Sequence, residues 1–117
     1  MDSFQDGDLL DLNVINGLKE LGGDDSFFKE IIELYVEQYP DLLDKIKSAL
    51  SNGDFVNVSK SAHALKGASL NIGAKKLAEI CLQIETNSSS EKCVCLDELL
   101  HNLEKYYEIS VEEIRKL

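Results

Sequence analysis

The chain has 117 residues, 44% hydrophobic and 29% charged, with 22 acidic residues against 12 basic ones and a net charge of −10. That composition excludes a disordered polymer and suits one modest core, hence a single domain over residues 1–117. The acidic surplus argues against nucleic acid as a partner, since affinity for a phosphate backbone rests on Lys and Arg displacing counterions.

No apolar run approaches the ~20 residues of a membrane span. The start, MDSFQDGDLL, lacks the basic and apolar regions of a secretory leader. A cytoplasmic protein without membrane contact is expected, and a monomer, because no second long apolar stripe is left over.

Residues 1–10 read as a flexible lead-in. A short helix is expected over residues 11–21, with Leu12, Ile15, Leu18 and Leu21 on one face, stopped by Gly22 and Gly23. Asp24 or Asp25 can cap a longer helix over residues 25–51. Its apolar residues Phe28, Ile31, Ile32, Tyr35, Tyr39, Leu42, Leu43, Ile46, Ala49 and Leu50 keep a three-four spacing. Pro40 removes a backbone donor and predicts a kink or short break near Tyr39.

Asp54 is a good N-cap for the next helix, residues 54–71, where Phe55, Val58, Ala62, Leu65, Ser69 and Ile72 form the core stripe. Gly73 closes it. A fourth helix over residues 74–87 turns Leu77, Ala78, Cys81 and Ile84 inward until TNSSS interrupts. The last, residues 92–116, carries Leu96, Leu99, Leu103, Tyr106 and Ile114. Amphipathic helices with short connections predict an all-α fold, an antiparallel up-down four-helix bundle with a short additional N-terminal helix.

Three cysteines cannot all pair, and a cytosolic chain of this size needs no staples, so Cys81, Cys93 and Cys95 read as thiols, with Cys81 in the core. Cys93 and Cys95 fall short of the four ligands of a closed zinc site, and no metal is expected there.

The stretch AHALKGASLNIGA, Ala62 to Ala74, is the chemically informative one. At about 100° per residue His63 points roughly 120° away from the core stripe, with Lys60, Gly67 and Leu70 near the same direction. Lys66 and Gly67, at i+3 and i+4, flank the imidazole. Glycine inside a helix costs about 1 kcal/mol relative to alanine, so a missing β-carbon one turn from the ring needs a reason. It clears room for a bulky group on the imidazole, or for another protein's backbone, and a nearby ammonium can neutralise an anionic adduct. In water, an imidazole near its reference pKa of about 6.5 keeps a ring nitrogen free for attack at neutral pH. His63 is thus a candidate phosphorylation site. It lies within a basic island, Phe55 to Ala78, that holds four lysines and no Asp or Glu and could orient an acidic partner.

At these residues AHALKGASLNIGAKKLAEIC resembles the signature of the histidine-containing phosphotransfer (HPt) domain of multistep two-component phosphorelays, A-H-x-L-K-G-[SA]-[SA]-x-x-x-G-A-x-x-L. His63, Leu65, Lys66, Gly67, Ala68, Ser69, Gly73, Ala74 and Leu77 fall in register, and the likeness extends over Leu12 to Glu85. The resemblance implies a four-helix bundle whose His63 takes a phosphoryl group from a receiver-domain aspartyl phosphate and passes it to another receiver's aspartate. It implies no cofactor of the chain's own, the magnesium belonging to the receiver, and no kinase core. The partners it implies are response-regulator receivers, such as those of a hybrid sensor histidine kinase and a downstream regulator.

Lys66 would stabilise the phosphoryl group and Gly67 would give clearance. Glu85 stands 22 residues after His63, where family members often place a glutamine to bond the imidazole, and is the candidate for orienting the ring. Lys60, Ala64, Leu70 and Asn71, with Lys75 and Lys76 at the rim, are the candidate receiver-binding residues. Two other readings stay open: a helical adaptor whose histidine is inert, and a metal-binding bundle built on the Glu98–His101 E-x-x-H. The second needs another E-x-x-H, and Lys60 stands where its carboxylate would have to be.

Overall fold

The computed structural model describes residues 9–88 and 96–117, which contain five helices: α1 Leu12–Leu21, α2 Asp25–Ser51, α3 Phe55–Asn71, α4 Lys75–Ser88 and α5 Leu96–Lys116. Helices α2 to α5 form the antiparallel up-down bundle, and α1 packs on α2. Helix α3 has its most extensive contact with α4 and a second with α2, so the helix bearing His63 sits between two neighbours.

The helix starts follow from local chemistry. Side chains of Asp11, Asp24 and Asp54 accept hydrogen bonds from first-turn backbone N–H groups of α1, α2 and α3, which are donors with no partner inside the helix. The core is continuous through the bundle and includes Ile32, Ile46, Leu65, Leu77, Ile84, Leu103 and Ile114. Where α2 faces α5, large side chains span the gap: the Tyr39 and Tyr107 rings stack with centroids 3.5 Å apart. Arg115 on α5 grips Glu33 on α2 through both carboxylate oxygens.

Three expectations need correction. Helix α2 runs from Asp25 to Ser51 through Pro40, so the short break expected near Tyr39 does not occur. Pro40 is exposed, so its missing donor falls on the solvent side while the buried face stays intact. On α1 only Ile15 is buried and Leu18 partly so, whereas Leu12 and Leu21 are exposed. Steps of three drift about 60° each around a helix, so the two ends of that series face opposite ways.

The third concerns the lead-in. Leu9 and Leu10 are buried in the core, and the Asp11 N–H donates to the Gly73 carbonyl at 2.8 Å, so the flexible reading of residues 1–10 fails for its last two. The rest of that segment, like residues 92–95 of the last expected helix, lies outside the described residues.

Candidate functional site

The direction of His63 is set by the opposite face of its helix. Val58, Ala62, Leu65 and Ser69 of α3 are buried, and rotating them into the core turns His63 outward, its side chain 66% exposed. Ser69 tolerates full burial because its hydroxyl meets that of Tyr35 on α2 at 2.8 Å.

Helix α4 then supplies what α3 lacks. The Glu85 carboxylate reaches across with one oxygen for each of two partners: Oε2 lies 3.1 Å from His63 Nδ1, and Oε1 accepts from Lys66 Nζ at 3.2 Å. Loss of hydration is the largest single influence on this carboxyl and pushes it up. The hydrogen bonds from Lys66 and His63, with the attraction of both groups, together outweigh that and hold it below its ordinary value. His63 Nε2 has no protein partner among the described residues.

Gly67 sits one turn from His63 over open space. A β-carbon built there meets no heavy atom within 4 Å, and the backbone is helical, so neither packing nor backbone geometry calls for glycine. Gly73 is the contrast: φ is +77°, and a β-carbon there would stand 2.8 Å from Ile15 Cγ1 and 2.9 Å from the Asp11 carbonyl. The fold itself demands Gly73.

Of the other sequence-based candidates, Lys60, Ala64, Leu70 and Asn71 are exposed on α3 and share its outward side with His63. Lys75 and Lys76 open α4. Lys75 sits beside Leu10, Asp11, Leu12 and Asn13. Lys76 is nine residues from Glu85, half a turn around α4, and its ammonium lies 5.6 Å from the centre of the Tyr106 ring on α5.

Two apolar residues join the surface that sequence reasoning passed over. Val56, 65% exposed, is one heptad before His63 as Leu70 is one heptad after it, and Leu82, 47% exposed, precedes Glu85 by one turn on α4. The seven-residue spacing of Val56, His63 and Leu70 was the available signal. Leu82 had none, because its neighbourhood depends on how α4 packs.

Among the described residues no group of three or more His, Cys, Asp or Glu is arranged to hold a metal ion. Glu98 and His101 are both exposed on α5. Cys93 and Cys95 lie outside the described residues, and Cys81 is a free, buried thiol. No helix among the described residues is long and apolar enough to cross a membrane.

Comparison with known proteins agrees with this geometry. The chain is 33% identical over 88 residues to multistep phosphorelay regulator 1 of Schizosaccharomyces pombe, covering 74% of this chain and 30% of that protein. It is 27% identical over 86 residues to the phosphorelay intermediate protein YPD1 of Candida albicans, covering 73% and 47%. The chain thus spans less than half the length of these two relatives. The crystal structure of histidine-containing phosphotransfer protein B (HptB) from Pseudomonas aeruginosa PAO1 superposes with a TM-score of 0.83 at 25% identity, over 92% of this chain and 91% of that one. The Hpt domain model matches residues 30–108, more than half of the sequence and the whole of the His63 helix, and the chain belongs to the Hpt domain family.

Proposed function

We propose that this protein is a phosphorelay intermediate: His63 accepts a phosphoryl group from the aspartyl phosphate of one receiver domain and delivers it to the aspartate of another. The observation that carries this reading is the outward imidazole with Nδ1 engaged by Glu85 and Nε2 unpartnered among the described residues. A proton held on Nδ1 leaves the Nε2 lone pair free for in-line attack on phosphorus. Lys66 supplies positive charge beside the ring, and the space above Gly67 admits the receiver's backbone. Transfer then depends on position and electrostatics, with the receiver's magnesium and Lys66 offsetting charge on the phosphoryl oxygens.

The docking surface in this reading combines apolar and basic elements. Val56, Leu70 and Leu82 offer exposed apolar area, Lys60 gives charge to meet an acidic partner, and Ala64 and Asn71 complete the α3 side. A relay partner must leave after transfer, which suits a small, transient contact. The protein acts as a monomeric cytoplasmic carrier with no kinase core and no resident cofactor. Its partners are receivers of the hybrid-kinase and response-regulator type.

Incubation with a phosphorylated receiver and magnesium tests this. The chain acquires an acid-labile, base-stable label, and His63→Gln loses it while far-UV circular dichroism stays unchanged. A label retained by that variant rejects the assignment.

A further inference from the structure

We propose, building on the carrier reading, that Glu85 acts by charge as well as by position: its carboxylate stabilises the protonated, phosphoimidazolium form of His63. This keeps the bound phosphoryl group ready to leave. The argument starts from the proton on Nδ1. When Nε2 attacks, its lone pair forms the N–P bond, the P–O bond to the receiver's aspartate breaks, and that electron pair departs with the aspartate carboxylate. No proton has moved, so the ring is now a cation with its Nδ1 proton facing Glu85 Oε2 at 3.1 Å. On delivery the next aspartate attacks phosphorus, the N–P pair returns to the ring, and neutral imidazole is released. A ring that had lost its Nδ1 proton would have to leave as imidazolate, a far poorer leaving group.

What faces the ring decides whether that proton stays. From α4 comes the Glu85 carboxylate, kept ionised by Lys66 at its other oxygen. From α3 come Lys66 and the more distant exposed Lys60. The Cys81 thiol lies buried one turn before Glu85 and is pushed up to about 12, first by loss of hydration, so it stays neutral. Among the described residues Glu85 is therefore the anion in contact with the ring. An anion this close favours the charged form of a partner by about 1–3 pH units, and a charge-assisted hydrogen bond is roughly twice as strong as a neutral one. A glutamine here would accept the same hydrogen bond, orient the ring equally well and supply no charge. Orientation and charge are thus separable by one isosteric substitution.

The experiment labels the ring nitrogens with ¹⁵N, phosphorylates the full chain with phosphoramidate or with a phosphorylated receiver, and follows the phosphohistidine resonances against pH. It compares wild type, Glu85→Gln and Glu85→Ala, each checked for unchanged helical content. We expect the phosphorylated ring of Glu85→Gln to lose its Nδ1 proton at a pH lower by about one unit or more, approaching the alanine variant. Transfer from it to a receiver at pH 8 should fall about tenfold, the same shift expressed as a population. If Glu85→Gln is phosphorylated and titrates like wild type, Glu85 only orients the ring and the proposal is overturned while the carrier reading stands. If wild type is phosphorylated by neither donor, the carrier reading fails and takes the proposal with it.

Discussion

The hydroxyls of Tyr35 on α2 and Ser69 on α3 meet at 2.8 Å in the core, the polar contact that allows a serine to occupy the buried stripe behind His63. Burial pushes the Tyr35 phenol well above its ordinary value, so it stays neutral. Ser69→Ala leaves the Tyr35 hydroxyl buried without a partner and should cost about 1–3 kcal/mol. Tyr35→Phe added to Ser69→Ala should recover part of that loss, because no orphan hydroxyl is left. Urea denaturation of the two single variants and the double variant measures this, and a double variant no more stable than Ser69→Ala alone contradicts it.

Gly73 and Gly67 should respond oppositely to alanine. At Gly73 a side chain meets both a positive φ and the packed Ile15 and Asp11, so Gly73→Ala should destabilise by more than about 1 kcal/mol. Gly67→Ala, with open space around it, should stabilise by up to about 1 kcal/mol. Gly67→Glu should fold normally yet lower the transfer rate by about 10²-fold, the effect of displacing reacting groups by about an ångström. Thermal melts and initial transfer rates from a phosphorylated receiver provide both readouts.

Leu70 and Val56 are exposed in the isolated protein, so Leu70→Asp and Val56→Asp should shift stability by less than about 0.5 kcal/mol. Burying a large aliphatic side chain contributes about 1.5–3 kcal/mol, and each variant should weaken receiver binding by about 10–100-fold. Lys60→Glu should slow association at low salt, with a deficit that shrinks as ionic strength rises. Titration calorimetry and stopped-flow association separate the two classes. Equal binding by the aspartate variants would remove the α3 apolar positions from the docking surface.

Because Lys66 and His63 hold the Glu85 carboxyl below its ordinary value of 4.5, its ionised form is favoured by folding. That contribution is present in full above the ordinary value and is lost as pH falls through the depressed native value. Glu85→Gln should therefore be less stable than wild type at pH 7, and the gap should close as the pH drops below about 4.5. Urea midpoints of both proteins across pH 3–7 measure it. A gap independent of pH would mean the ion pair contributes nothing through its charge.

Cys81 offers a check on the core beneath the site. Its thiol is buried and pushed up to about 12, which at pH 8 leaves a thiolate fraction of about one in ten thousand. With Cys93 and Cys95 replaced by serine, the folded protein should react with a thiol-exchange reagent only as fast as it unfolds. Fast labelling in native buffer would show the α4 packing to be loose.

The helices, their caps and the outward direction of His63 were legible in the sequence because each depends on periodicity and on side chains within a few positions. Spacing alone separates the Val58–Ala62–Leu65–Ser69 stripe from His63, Lys66 and Gly67. What needed the folded molecule were relations between helices. The carboxylate shared by His63 and Lys66 exists because α4 lies against α3 in one register, and Leu82 borders the site for the same reason. The same packing sends Lys76 to Tyr106 on α5 and buries Leu9 and Leu10 near the α3–α4 turn. Local order follows from a helix's fixed rise and turn, whereas contacts between segments distant in the chain are chosen by which packing fills the core without voids. No spacing rule along one strand of sequence encodes that choice.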